Sequence, residues 1–154
     1  MEDGAMPYSC LRKGRVSVAG QVYLITTVTH RRHPVLADLR VARRVVREMR
    51  TLHDRGDVES LAWVLMPDHL HWLFGLGDGH CLADAVGRFK GRSGYMINQL
   101  LGRRGPVWQE SFHDHALRRD EDLASVARYV VANPLRAGMV KRLGDYAHWD
   151  AVWL

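Results

Sequence analysis

Two histidines stand one residue apart in the stretch MPDHLHWLF, residues 66–74. Apolar and aromatic residues surround them, so residues 69–76 are typical of a strand. Neighbouring side chains of a strand point to opposite faces, so His69 and His71 share one face, about 7 Å apart. Neutral imidazoles in this arrangement can bind one divalent ion. The chain has nine histidines, so the pair is also compatible with a polar, solvated strand surface.

A third metal ligand could come from a helix near the end of the chain. Residues 123–131 carry apolar side chains at helical spacing, and Pro134 is expected to end or kink this helix. Tyr129 and Asn133 are four residues apart and so leave the same side of it. Placed against the histidine face, Asn133 could supply an oxygen ligand and Tyr129 a hydroxyl. Alternatively, Tyr129 is a boundary aromatic residue and Asn133 only precedes the proline.

The order of the predicted elements is β-α-β-β-α-β-α. It predicts an α+β fold, a ferredoxin-like or RRM-like four-stranded antiparallel sheet with helices on one face, the other face being free for function. Asp38 is expected to cap the first helix, and the two residues Pro67 and Asp68 to join a hairpin. The predicted strands are 21–29, 59–66, 69–76 and 112–118, and the predicted helices are 38–53, 82–100 and one that opens at Asp120 or Glu121.

The 154 residues are interpreted as a basic N-terminal arm, 1–20, followed by a single domain, 21–154, whose aromatic tail packs back on it. No apolar run of membrane-spanning length and no secretion signal is recognisable, so we expect a cytoplasmic protein.

Basic residues outnumber acidic ones by 22 to 17, giving a formal charge of +5, and 19 of the 22 are arginine. This favours a polyanionic partner such as nucleic acid, although the basic clusters could also be solvated faces. The clusters chosen as candidate phosphate contacts are Arg12, Lys13 and Arg15, and Arg88, Lys90 and Arg92.

Three segments in order resemble the HUH single-tyrosine transposases, and within them the REP-associated branch. WVLMPDHLHWLF resembles the family's strand with its two histidines, and PVWQESFHDHALR resembles the Trp-Gln segment and the strand after it. ARYVVANPLRAGMV resembles the helix that carries the nucleophilic tyrosine and continues into Asn-Pro. Together the three segments predict membership of this family over about residues 20–142.

The resemblance implies a metal-dependent endonuclease and strand transferase that acts on single-stranded DNA beside a REP-type hairpin. It implies that His69, His71 and Asn133 bind Mg²⁺ or Mn²⁺. It also implies that the C-terminal helix is a catalytic helix whose Tyr129 forms a 5′-phosphotyrosine intermediate. His113 and His115 also match family positions and are candidates for orienting DNA. The expected protein is a monomer or a homodimer, located in the cytoplasm with the nucleoid.

Two other functions also fit the sequence. The first is a non-catalytic, RRM-like nucleic-acid-binding module, which the fold and the charge would support equally. The second is a zinc hydrolase whose ligands are His69, His71 and either His80 or Cys81.

Overall fold

A computed structural model describes residues 20–118 and 120–152, so the predicted arm, apart from Gly20, lies outside the described residues. In chain order the longer helices are α1, α2 and α3, and α4 is a single turn. Their bounds are Leu39–Asp54, Leu82–Leu101, Leu123–Val131 and Asn133–Arg136. The strands β1 to β5 are Val22–Val28, Val58–Leu65, His69–Leu76, His113–Ala116 and Trp149–Ala151. Among the described residues, no helix has the length and apolarity needed to cross a bilayer.

The five strands form one antiparallel sheet in the order β4-β1-β3-β2-β5. The sequence predicted the α+β class and the antiparallel sheet, and both are confirmed, but it predicted four strands. The additional strand β5 comes from the tail and pairs with β2 along the sheet edge. It was missed because three residues, Trp149, Asp150 and Ala151, are too few to show a two-residue period.

The two faces of the sheet bury different helices. On one face Leu70, Trp72 and Phe74 of β3 pack in the main core with apolar residues of α1 and α2. Phe89 of α2 is fully buried there against the Trp72 ring, with ring centroids 5.4 Å apart. On the other face α3 packs on Ala62 and Leu73 in a second cluster. The prediction of helices on one face therefore holds for α1 and α2, whereas α3 covers part of the opposite face.

Local hydrogen bonds explain where helix α1 and strand β3 begin. Asp38 is the N-cap of α1, as predicted, because its Oδ1 accepts the backbone N–H of Arg40 at 2.8 Å. The predicted hairpin is also confirmed, since the Met66 N–H donates to the His69 carbonyl at 2.8 Å across the Pro67-Asp68 joint. This joint places Asp68 directly before the first histidine.

Among the glycines that the structure describes, Gly77 has the least room for a side chain. A Cβ there would overlap the carbonyl oxygen of Gly56 and lie 2.9 Å from that of Asp57, which accepts the Gly77 N–H. Gly87 lies inside α2 and is exposed, and a Cβ there would have no neighbour within 4 Å. The same substitution should therefore have opposite effects at the two glycines.

We expect Gly77→Ala to lower the free energy of unfolding by about 1–3 kcal/mol, because backbone atoms must move to admit the methyl group. Gly87→Ala should raise it by about 0.5–1 kcal/mol, because alanine has less backbone entropy to lose in a helix. Urea denaturation followed by circular dichroism measures both. Equal effects of the same sign would contradict the packing described for Gly77.

Candidate active site

His69 and His71 lie on the face of β3 opposite the main core, with ring centroids 4.9 Å apart in an edge-to-face arrangement. Each ring is oriented through its Nδ1. His69 Nδ1 lies 2.7 Å from Asp68 Oδ1, and His71 Nδ1 lies 2.7 Å from Thr26 Oγ1 on β1. A carboxylate only accepts hydrogen bonds, so His69 donates from Nδ1 and its Nε2 keeps the lone pair. Both imidazoles thus have Nε2 as the atom left to bind a ligand.

The surroundings keep His71 neutral. Burial, together with the charges of His69 and Arg136, lowers the pKa of His71 to about 4. For Asp68, burial raises the pKa, but hydrogen bonds from His69 and Arg32 outweigh that effect and hold it below its usual value. At neutral pH the His71 ring is therefore uncharged and the Asp68 carboxyl ionised. These are the states that a metal ligand and the residue orienting a metal ligand require.

The two later histidines lie on the same sheet face. His113 of β4 is directly opposite Thr26 of β1, which in turn is opposite His71, so the three side chains form one cross-strand row. His115 lies in the next row, opposite Leu24, and its Nε2 is 3.2 Å from Glu121 Oε1. The strand pairing thus extends the histidine face to the β4 edge of the sheet.

The end of α3 gives Asn133 a defined orientation. Proline has no N–H, so Pro134 cannot donate to the Val130 carbonyl four residues before it. The Asn133 side chain replaces that donor, with Nδ2 donating to Val130 O at 2.8 Å. Its amide nitrogen is therefore engaged at the helix end, and Oδ1 is the atom of the amide suited to bind a cation.

Tyr129 sits at the exposed edge of α3, with 64% of its surface accessible. The guanidinium of Arg136 lies over its ring, 3.8 Å from the centroid, and Arg136 Nη1 donates to the Tyr129 carbonyl at 2.6 Å. Val130, the next residue, packs on Val64, which is directly opposite His71 in the sheet. The end of α3 therefore lies on the same face as the two histidines, beside His71.

The predicted DNA-contacting residues of α2 lie on the helix that covers the other face, and each has an intramolecular contact. Arg88 donates to the buried Asp57 carboxylate at 2.6 Å, and Arg92 to Glu48 at 2.9 Å. Lys90 donates to the carbonyls of Gln109 and Ser111. The other cluster, Arg12, Lys13 and Arg15, lies outside the described residues.

The ligands that the zinc-hydrolase alternative requires lie too far apart to bind one ion. His80 and Cys81 follow the opposite end of β3 from His69, and the strand between His69 and Leu76 is about 23 Å long. Within residues 20–118 and 120–152, no group of three or more His, Cys, Asp or Glu side chains is arranged to hold a metal ion. A ligand set at the histidine pair must therefore draw on another residue type, such as an amide oxygen.

Sequence reasoning missed three residues of this site: Thr26, Asp68 and Arg136. The strand period of residues 21–29 could have placed Thr26 beside the histidines, but only once the pairing of β1 with β3 was known. Asp68 was interpreted as part of the hairpin joint alone. For Arg136 the Asn-Pro sequence was the available signal, since a proline leaves carbonyls of the preceding helix turn without amide donors.

Comparison with known proteins gives a family match and two informative relatives. The family described as Transposase IS200 like matches residues 17–133. The REP-associated tyrosine transposase of Escherichia coli (strain K12) is 30% identical over 88 residues, covering 57% of this chain and 51% of that protein. The chain thus spans about half the length of that curated relative.

A solved structure gives the corresponding match in three dimensions. The structure of a REP-associated tyrosine transposase bound to a REP hairpin has a TM-score of 0.72 and 22% identity. The match covers 88% of this chain and 79% of the other, and it shows that the two share a fold. Because the family match spans most of the sequence, including both histidines, Tyr129 and Asn133, the chain belongs to the IS200-like transposase family.

Proposed function

We propose that this protein is a metal-dependent single-stranded DNA endonuclease and strand transferase that uses Tyr129 as its nucleophile. The observation that carries the proposal is the position of the end of α3 on the histidine face of the sheet, beside His71. This position supports a single site that contains the phenol of Tyr129 and the two oriented imidazoles. Membership of the IS200-like family supports the same activity.

In the proposed reaction the Tyr129 oxygen attacks the phosphorus of a DNA phosphodiester. The new bond joins the tyrosine to the 5′ phosphate, and the P–O3′ bond breaks. The phenol gives up its proton, and the departing 3′-oxygen takes one up to become a 3′-hydroxyl. The phosphotyrosine bond conserves the phosphodiester, so attack by a second 3′-hydroxyl joins strands by the reverse route without a nucleotide cofactor.

The donor set suits a divalent ion such as Mg²⁺ or Mn²⁺. His69 and His71 would bind it through Nε2 and Asn133 through Oδ1, because their other polar atoms are engaged with Asp68, Thr26 and the Val130 carbonyl. When bound, the ion would withdraw charge from the scissile phosphate, which helps a nucleophile whose unperturbed pKa is near 10. The protein's own part is to hold the imidazoles neutral and fixed and to present the phenol beside them.

The proposed substrate is single-stranded DNA next to a hairpin. The formal charge of +5 favours a polyanion, and the structural relative with a TM-score of 0.72 was solved with a REP hairpin. Helix α3 covers the sheet next to the histidines, so an extended single strand reaches the site more readily than a duplex. The proposal holds for a monomer or a homodimer acting on DNA in the cytoplasm.

The activity can be tested by forming the covalent intermediate. Incubation with Mn²⁺ and single-stranded DNA from the regions flanking the gene should give a protein–DNA adduct on a denaturing gel. Tyr129→Phe should abolish the adduct, because it removes the attacking oxygen, while leaving DNA affinity within about twofold, since the ring remains for stacking. The matched control is Tyr95→Phe, at an equally exposed tyrosine on α2, which should form adduct like the original protein.

Several results would contradict the proposal. Adduct formation by Tyr129→Phe would show that another residue is the nucleophile. Tight DNA binding without any adduct, with or without Mn²⁺, would favour the non-catalytic binding module instead.

The metal site can be tested without DNA. Asp68→Asn should weaken Mn²⁺ binding about 10- to 100-fold in calorimetry, because the amide lacks the negative charge that makes the His69 ring a stronger ligand. Asp78→Asn removes the same charge from an exposed loop after β3 and should leave the affinity unchanged. Equal affinity of the two variants would mean that Mn²⁺ does not bind at His69.

A further inference from the structure

We propose that Arg136 binds the scissile phosphate and is the second positively charged group of the cleavage site, a role that rests on the function proposed above. Its guanidinium lies 3.8 Å from the centroid of the Tyr129 ring, and one of its N–H groups donates to the Tyr129 carbonyl. A phosphate attacked by the Tyr129 oxygen would lie at the edge of the ring on which this guanidinium rests.

The contacts leave most of the guanidinium free for a ligand. An arginine head group has five N–H donors, and the carbonyl bond uses Nη1 alone. Arg136 is exposed, so its remaining donors are accessible to a ligand from solvent. A planar fork of this kind matches two oxygens of a phosphate.

A hydrogen bond to a carbonyl at the end of a helix does not require an arginine. The neighbouring carbonyl of Val130 is capped by the neutral amide of Asn133, at 2.8 Å. A neutral amide could serve the Tyr129 carbonyl in the same way. What arginine adds at this position is a permanent positive charge next to the nucleophile.

This charge would disfavour a metal ion at the histidines unless an anion lay between them. Arg136 follows the end of α3, which lies on the histidine face of the sheet beside His71, so its guanidinium would repel a divalent ion bound by the imidazoles. A phosphate placed between Arg136 and the ion would be attracted by both and would remove the repulsion. The arrangement thus favours metal and DNA binding together over metal binding alone.

The first test compares rates of adduct formation with Mn²⁺ at saturating DNA. Arg136→Gln keeps a polar, hydrogen-bonding side chain and removes the charge, so it should slow adduct formation about 100-fold, the usual effect of losing one donor to a reacting oxygen. Arg136→Lys should recover part of the rate because it restores the charge. Arg128→Gln, an equal charge change on the exposed side of α3, should react at the original rate.

The second test separates phosphate binding from a structural role. In the Tyr129→Phe background, DNA affinity is measured with an ordinary scissile phosphate and with a neutral methylphosphonate at that single linkage. Arg136→Gln should weaken binding of the ordinary DNA about 10-fold, as expected for a charged hydrogen bond, and of the neutral DNA less than twofold. An equal loss on both DNAs, or no loss on either, would overturn the assignment.

The two proposals fail in different ways. If the original protein forms no tyrosine adduct, the proposed function is wrong. If it forms the adduct and Arg136→Gln reacts at the same rate, only the inference about Arg136 is wrong.

Discussion

The site depends on the two-residue period of β3. Leu70, Trp72 and Phe74 are fixed on one face by the main core, so His69 and His71 must occupy the other. A slip of one residue in the pairing of β3 would bury both imidazoles among apolar side chains and expose a tryptophan. The packing of the hydrophobic core therefore sets the direction in which the two histidines point.

Hydrogen bonds within the protein keep the free-energy cost of burying the polar histidine rings small. The Nδ1 atoms of both rings have partners within the protein, Asp68 from the hairpin joint and Thr26 from the neighbouring strand. Buried polar atoms with partners avoid the desolvation penalty that unpaired ones incur. As a result the rings are held with their Nε2 atoms available before any ion arrives, which reduces the entropy lost on binding.

The opposite half of the site arises from a break in a helix. Pro134 lacks the backbone donor for the Val130 carbonyl, and the Asn133 side chain donates to that carbonyl instead. In the next turn Arg136 donates to the Tyr129 carbonyl. One irregularity thus orients an amide oxygen and places a guanidinium on the ring of the proposed nucleophile. The short sequence from Tyr129 to Arg136 is a compact unit in which helix termination and chemistry share the same residues.

Most of the fold could be predicted from the sequence because strand and helix periods and the Asp38 cap are local signals. The face shared by His69 and His71 followed from the same local rule. The partners that orient them could not be predicted, because the Thr26 contact depends on which strands are neighbours. Strand β5 was missed because a three-residue strand has no period, and the roles of Arg88 and Arg92 as ion-pair partners depended on where Asp57 and Glu48 are buried.

The most direct test of the central claim, that the histidine pair and the end of α3 form one metal-binding site, is a crystal structure with Mn²⁺ and anomalous data. The account predicts one strong peak bonded to Nε2 of both His69 and His71, with Asn133 Oδ1 and the Tyr129 hydroxyl on the same side of the sheet. A peak bound elsewhere, or Tyr129 directed away from the ion across the sheet, would contradict it.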